Sequence, residues 1–199
     1  MLLEEFDEIV FADTGAEKPE TYYYIEKFVR PYLAAKGMTF TTIRAKESII
    51  NYCLRIRNIP SIRYRWSTRD FKIRPMQRYI RKSGHELPVR CAIGISTDEI
   101  ERAKARIDLN EWKVEYPLIE RGLSRSDCER IILQKWPTPL KSGCFICPYQ
   151  TDNQWRDLNQ QHPEQWGIAC KVEANARLRR PTISFNGGNE TLEQMSKRF

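Results

Sequence analysis

An α/β fold built on a parallel sheet flanked by helices is the class this sequence predicts, and three observations predict it. Short apolar runs, such as Ile9-Val10-Phe11-Ala12 and Val89 to Ile95, alternate with stretches of helical periodicity. Two of these runs lead into small polar residues, Asp13-Thr14-Gly15 and Ser96-Thr97, which suit the carboxyl edge of a sheet. The 199 residues are long enough for one domain with a single sizeable core. Strands separated by helices need crossover connections, so they pair in parallel and place ligands beyond their carboxyl ends.

Taken in order, residues 6–12 are predicted as a strand that runs into a turn. Residues 20–35 have helical character, interrupted by Pro31 and ended near Gly37. Residues 38–43 alternate and are rich in Thr, which predicts a second strand. Residues 46–57 form a helix whose Ile49, Ile50, Cys53, Leu54 and Ile56 follow a 3.6 period. A basic loop follows, and Pro75 opens a helix to about Lys82. After the strand at 89–95, Thr97-Asp98-Glu99 opens a helix with a capping residue and two acids. Residues 126–135 are helical, a Pro-rich loop leads to Cys144, and residues 152–179 are mostly helical with a break at His162-Pro163. Trp155, Leu158 and Trp166 have the spacing of a packing face. His85 and His162 are expected at the surface.

With 41% hydrophobic, 11% aromatic and 30% charged residues, the composition is that of a globular chain, not a disordered one. No apolar run approaches the roughly 20 residues that span a bilayer, and the acidic residues after Met1-Leu2-Leu3 exclude a secretory signal. A cytoplasmic location without a membrane partner is the expectation. The net charge of +7 is uneven: Arg63, Arg65, Arg69, Lys72, Arg74, Arg78, Arg81 and Lys82 stand against Asp70 alone. Such a surface suits an anionic partner, a nucleotide or a nucleic acid, or a partner protein, or else is a solvated helix face. The six cysteines argue against a disulfide framework, and Cys53 and Cys91 are expected in the core.

Four segments could carry chemistry. Asp13-Thr14-Gly15-Ala16-Glu17 ends the first strand, where backbone can approach a ligand closely; alternatively it is a capped turn. Ser67-Thr68-Arg69-Asp70-Phe71-Lys72-Ile73-Arg74-Pro75 supplies Arg69, Lys72 and Arg74 as donors to phosphate or sulfate oxygens. Gly94-Ile95-Ser96-Thr97-Asp98-Glu99-Ile100-Glu101-Arg102 is a strand end and a helix start, which is also its plain reading. Cys144 and Cys147, within Lys141 to Tyr149, have metal-ligand spacing, though a packed or redox-active pair has the same spacing. The Gly-rich segment Ile183 to Thr191 looks like a phosphate loop, but only Leu192 to Phe199 follow, too few for a well-anchored helix, so it is expected to be a structural tail.

In this order and spacing the segments resemble the phosphoadenosine-phosphosulfate reductase-like family of the adenine nucleotide alpha-hydrolases, the PP-loop ATP pyrophosphatases. The resemblance covers residues from about Phe6 to Met195 and implies a Rossmann-like parallel sheet in a single domain, 1–199. It also implies a mainly helical, cysteine-containing part over 124–199. It implies that Asp13, Thr14, Gly15 and Glu17 help hold an adenine nucleotide, ATP or adenylyl-sulfate, and that Arg69, Lys72 and Arg74 face its sulfate or phosphate. Gly94, Ser96, Asp98, Glu99 and Arg102 would lie at the substrate edge. Cys128, Cys144 and Cys147 would hold zinc or an iron–sulfur cluster, with Ser67 where the family often has Cys and either Cys170 or a histidine to complete the site. The family opens with a strand and a Gly/Ser-rich phosphate loop, whereas Met1 to Ala12 hold neither Gly nor Ser; a late start or a truncated copy is expected. The reductase motif Glu-Cys-Gly-x-His is also missing. The function implied is sulfur transfer or nucleotide activation, in the setting of nucleic-acid modification. The alternative is a non-catalytic nucleic-acid- or protein-binding module with a structural metal knuckle.

Overall fold

Strand β1, Glu8–Asp13, carries the first apolar run and pairs in parallel with β2, Thr39–Arg44, in a register from Glu8 against Thr39 to Asp13 against Arg44. The computed structural model describes residues 6–104, 109–140, 143–188 and 190–199. Met1, Leu2 and Leu3, together with Lys141, Ser142 and Asn189, which figure in the sequence reading, lie outside them.

The crossover from β1 to β2 is a helix in three parts: α1 (Pro19–Tyr24), a π turn (Ile25–Val29) and α2 (Arg30–Ala35). Pro31 does not break it. It sits in the first turn of α2, directly after the wider π turn, where the N–H it lacks is not required. Gly37, at φ +69°, takes the left-handed conformation after the helix. Helix α3, Ile49–Ile56, is capped by the Ser48 hydroxyl, which accepts the Asn51 N–H at 3.2 Å.

Residues 66–73, expected as part of a basic loop, are helical instead: α4 (Trp66–Thr68) and a second π turn (Arg69–Ile73) lead into α5 (Arg74–Lys82). The reason is Phe71, which is buried against the rings of Tyr52 and Trp66 at 5.5 and 6.3 Å and draws the segment into the core. Strand β3, Val89–Ala92, is shorter than the predicted run. It pairs in parallel with β4, Trp112–Glu115, a strand the sequence reading did not include. A 3₁₀ turn (Thr97–Glu99) and α6 (Ile100–Ala103) follow β3, and α7 (Pro117–Glu120) and α8 (Arg125–Leu133) follow β4.

The C-terminal part holds α9 (Asp152–Gln161), α10 (Pro163–Arg177) and α11 (Leu192–Ser196). Trp155, Leu158, Val172 and Ala176 are fully buried with Leu192 and Met195, and Trp166 meets Trp155 edge-on at 6.4 Å, the packing face expected. The Gly-rich tail does feed an anchored helix, contrary to expectation: α11 has a capping box from Thr191 and Gln194 and buries Leu192 and Met195, while the N–H groups of Phe185 and Leu192 go to the buried Glu173 carboxylate at 3.0 and 2.7 Å. His162 departs from expectation. Only 14% of its side chain is exposed, and Nε2 lies 2.6 Å from Glu20 Oε1, so it ties the helical part to α1.

The architecture is therefore mixed α/β, with two parallel, two-stranded sheets among the described residues. Helix α5 reaches both. Its Tyr79 hydroxyl donates to Glu8 of β1 at 2.6 Å, while Ile80 packs with Trp112 and Val114 of β4. No helix of the described residues is long and apolar enough to cross a membrane.

Candidate functional site

The carboxyl ends of β1 and β2 meet at Asp13 and Arg44, which are register partners. Asp13 is buried. One carboxylate oxygen accepts the Gly15 N–H and the Tyr22 hydroxyl, each at 2.8 Å, and the other faces Arg44 at 2.7 Å. Burial pushes this carboxyl up, but the Gly15, Tyr22 and Arg44 contacts outweigh burial and hold it below the usual Asp range. Gly15 is required at the turn: its φ is +74°, and a Cβ there would stand 2.9 Å from the Ser48 Cβ. Around this group lies a cavity of about 300 Å³, lined by Asp13, Gly15, Tyr22, Arg44, Lys46 and Ser48 among others. That volume is at the lower end of small-molecule sites.

Behind the cavity the Asp-Thr-Gly turn meets the CxxC segment. The Thr14 hydroxyl donates to Glu17 Oε1 at 3.0 Å, and Glu17 forms an isolated antiparallel bridge with Cys144. Phe145 N–H donates to the Ala16 carbonyl at 2.8 Å, and Cys147 N–H closes a turn onto the Cys144 carbonyl at 3.0 Å. Burial pushes the Cys144 thiol far up, and the Glu17 carboxylate adds to the effect. Burial also raises the Glu17 carboxyl, opposed by Lys72 and by the Thr14 hydroxyl.

The structure thus brings together Asp13, Thr14, Gly15, Glu17, Cys144 and Cys147, with Lys72 acting on Glu17 from the second π turn. It does not bring Arg69 and Arg74 to the cavity. Both grip Asp70, at 2.8 Å each, and neither lines the Asp13 cavity. Ser96 donates to Asp98 at 3.2 Å, Asp98 accepts the Arg125 N–H, and Arg102 pairs with Glu99 at 2.6 Å, so this segment is a helix start tied to α8. Gly94 lines a second, larger cleft.

Cys128 lines that same larger cleft, and its thiol is raised by burial and by Asp127 and Asp98. Among the described residues no three His, Cys, Asp or Glu side chains gather as a metal site. Cys170, on α10, has a thiol that burial pushes up to about 12. The three cysteines expected to share a metal, Cys128, Cys144 and Cys147, are therefore not gathered into one site among the described residues.

Sequence reasoning missed Arg44, Tyr22 and Ser48. The position of Arg44 at the end of a Thr-rich strand was the available signal, because two parallel strands of equal length end side by side.

No family model matches the chain. It is 26% identical over 174 residues to the uncharacterized protein MJ0066 of Methanocaldococcus jannaschii, a match covering 80% of this chain and 34% of that protein. It is 30% identical over 79 residues to the uncharacterized protein MJ0973 of the same organism, covering 38% of this chain and 17% of that protein. The chain spans about a third of the length of the first of these relatives.

Proposed function

We propose that the cavity at the carboxyl ends of β1 and β2 takes the adenosine portion of ATP or adenylyl-sulfate. On this reading the chain is a phosphoadenosine-phosphosulfate reductase-like protein serving sulfur transfer or nucleotide activation, with nucleic acid as the class of molecule modified. The observation that carries it is the Asp13–Arg44 pair at the carboxyl edge of a parallel sheet, where α/β folds bind ligands. Asp13 is buried and fully engaged by Gly15, Tyr22 and Arg44, so it acts through Arg44, whose guanidinium it holds at the cavity. Arg44, still 69% exposed, offers guanidinium donors to an anionic group at the cavity mouth.

The metal readings are not part of this proposal, because the described thiols do not gather. A purely nucleic-acid-binding module gains less than the composition suggests, since Arg69, Arg74 and Arg81 are engaged by Asp70 and Glu111.

Calorimetric titration of the purified chain with ATP and with adenylyl-sulfate tests the reading. A micromolar dissociation constant, about 8 kcal/mol of binding free energy, is expected. Asp13→Asn should weaken binding about tenfold, for loss of the ion pair that holds Arg44 at the cavity. Arg74→Ala, which touches Asp70 and not the cavity, should leave the affinity unchanged. A folded chain that binds neither nucleotide refutes the proposal.

A further inference from the structure

Two stretches free of Asp and Glu, residues 48–69 and 174–189, meet in the fold. Their junction is the last turn of α3. The Leu54 carbonyl accepts a side-chain N–H of Asn175 at 2.7 Å, and the Ile56 carbonyl accepts a guanidinium N–H of Arg179 at 3.1 Å. Trp66 packs on the Tyr52 ring of the same helix at 5.3 Å, which anchors the exposed run Ile62-Arg63-Tyr64-Arg65 to it. Arg57, Arg63, Arg65 and Arg180 are exposed, and among the described residues none of them pairs with a carboxylate. Arg69, Arg74 and Arg81, by contrast, are neutralised by Asp70 and Glu111. The fold thus moves the unpaired positive charge away from α5 and gathers it around the end of α3. Arg57 carries a second sign. It follows α3 at φ +50°, the one non-glycine residue with positive φ among the described residues. Helices commonly place Gly there, because Gly takes the left-handed conformation without strain. An arginine costs stability at that position and puts a charge at the junction.

We propose that this surface, with Arg57, Arg63, Tyr64, Arg65 and Arg180, binds a single strand of nucleic acid. The guanidinium groups take phosphates, and the Tyr64 ring takes an unstacked base. Tyr64 is 58% exposed, with the Arg63 guanidinium 5.5 Å from its ring centroid. An exposed ring beside a cation is a stacking platform for a flat group, and in a duplex the bases are already stacked on one another. DNA and RNA share the phosphate and the base face, so the surface selects strand form and not sugar. An acidic peptide meets the charge but lacks the regular succession of phosphate and flat base. None of these residues lines the Asp13 cavity, so the strand site stands or falls separately from the nucleotide reading.

The test is fluorescence anisotropy of a labelled oligothymidylate of about 12 nucleotides, titrated with the intact chain and no added nucleotide. The single strand should bind more tightly than a duplex of the same length. Its affinity should fall with salt at a log–log slope of about −3, from four arginine–phosphate contacts at about 0.7 each. Arg57→Gly should weaken binding and reduce that slope by about 0.7, while the urea midpoint holds or rises because Gly suits the φ of +50°. Tyr64→Ala should weaken binding about fivefold or more with the slope unchanged, for loss of the stacked base. Arg74→Ala, whose side chain is held by Asp70, should alter neither affinity nor slope. Absence of binding by the folded chain, equal or tighter binding of the duplex, or unchanged affinity in either Arg57→Gly or Tyr64→Ala overturns the proposal. Displacement of the strand by poly-glutamate at equal charge also overturns it, in favour of an acidic protein partner.

Discussion

Two buried carboxylates in this chain respond to pH in opposite ways. Burial pushes Asp13 up, but the Gly15, Tyr22 and Arg44 contacts prevail and the folded value is lowered. Its contribution to stability is present above the ordinary Asp value of 3.8 and is lost as pH falls through the lower folded value. Glu173 accepts two backbone N–H groups, yet burial prevails and its folded value is raised. Its contribution is complete below the ordinary Glu value of 4.5 and is lost as pH rises through the higher folded value. Glu173→Gln cannot titrate and keeps only one acceptor oxygen. The variant should therefore be most destabilised relative to the natural chain near pH 4, with the gap shrinking toward pH 7. Urea unfolding at a series of pH values measures this, and a gap that widens with pH contradicts the assignment. Asp13 and Glu17 were legible as candidates because they end an apolar run. Arg44 and Tyr22 were not, since their roles depend on strand register and on which turn of α1 faces the sheet.

At the level of elements, caps and buried anchors decide where helices begin. Ser124 and Asp127 form a capping box on α8, with Asp127 N–H donating to the Ser124 hydroxyl at 3.2 Å and Ser124 N–H to the Asp127 carboxylate at 3.0 Å. Ser124→Ala should lower the unfolding free energy by about 1 kcal/mol, read from thermal or urea denaturation. This kind of element is visible in sequence, as are β1, β2 and α3, because apolar period and capping residues agree there. β4 was not visible, because Trp112-Lys113-Val114-Glu115 offers only two inward residues and its pairing with β3 crosses a long connection. Residues 66–73 misled in the other direction. Their many charges suggest a loop, while one buried ring, Phe71, outweighs them and makes the segment helical.

For the whole molecule, the larger hydrophobic cluster joins α3, α9, α10 and α11 with the CxxC segment, while a smaller one sits beneath β3 and β4. Cys53 and Cys144 belong with the first; burial pushes Cys53 up to about 12 and Cys144 higher. Cys53, fully buried, should not react with iodoacetamide at pH 8 while the chain is folded and should label in urea; peptide mapping by mass spectrometry reads the outcome. Labelling of Cys53 in the native chain would mean that α3 leaves the core.

The backbone bond from Phe145 N–H to the Ala16 carbonyl has a further effect during synthesis. Roughly 130 residues separate these two groups, and at about 5–20 residues per second the first turn waits many seconds for its partner to leave the ribosome. Until then the Asp-Thr-Gly turn is a half-built structure with its carbonyl unmet, and a nascent chain stopped before residue 145 cannot complete it. The Asp-Thr-Gly turn is thus completed long after it is translated.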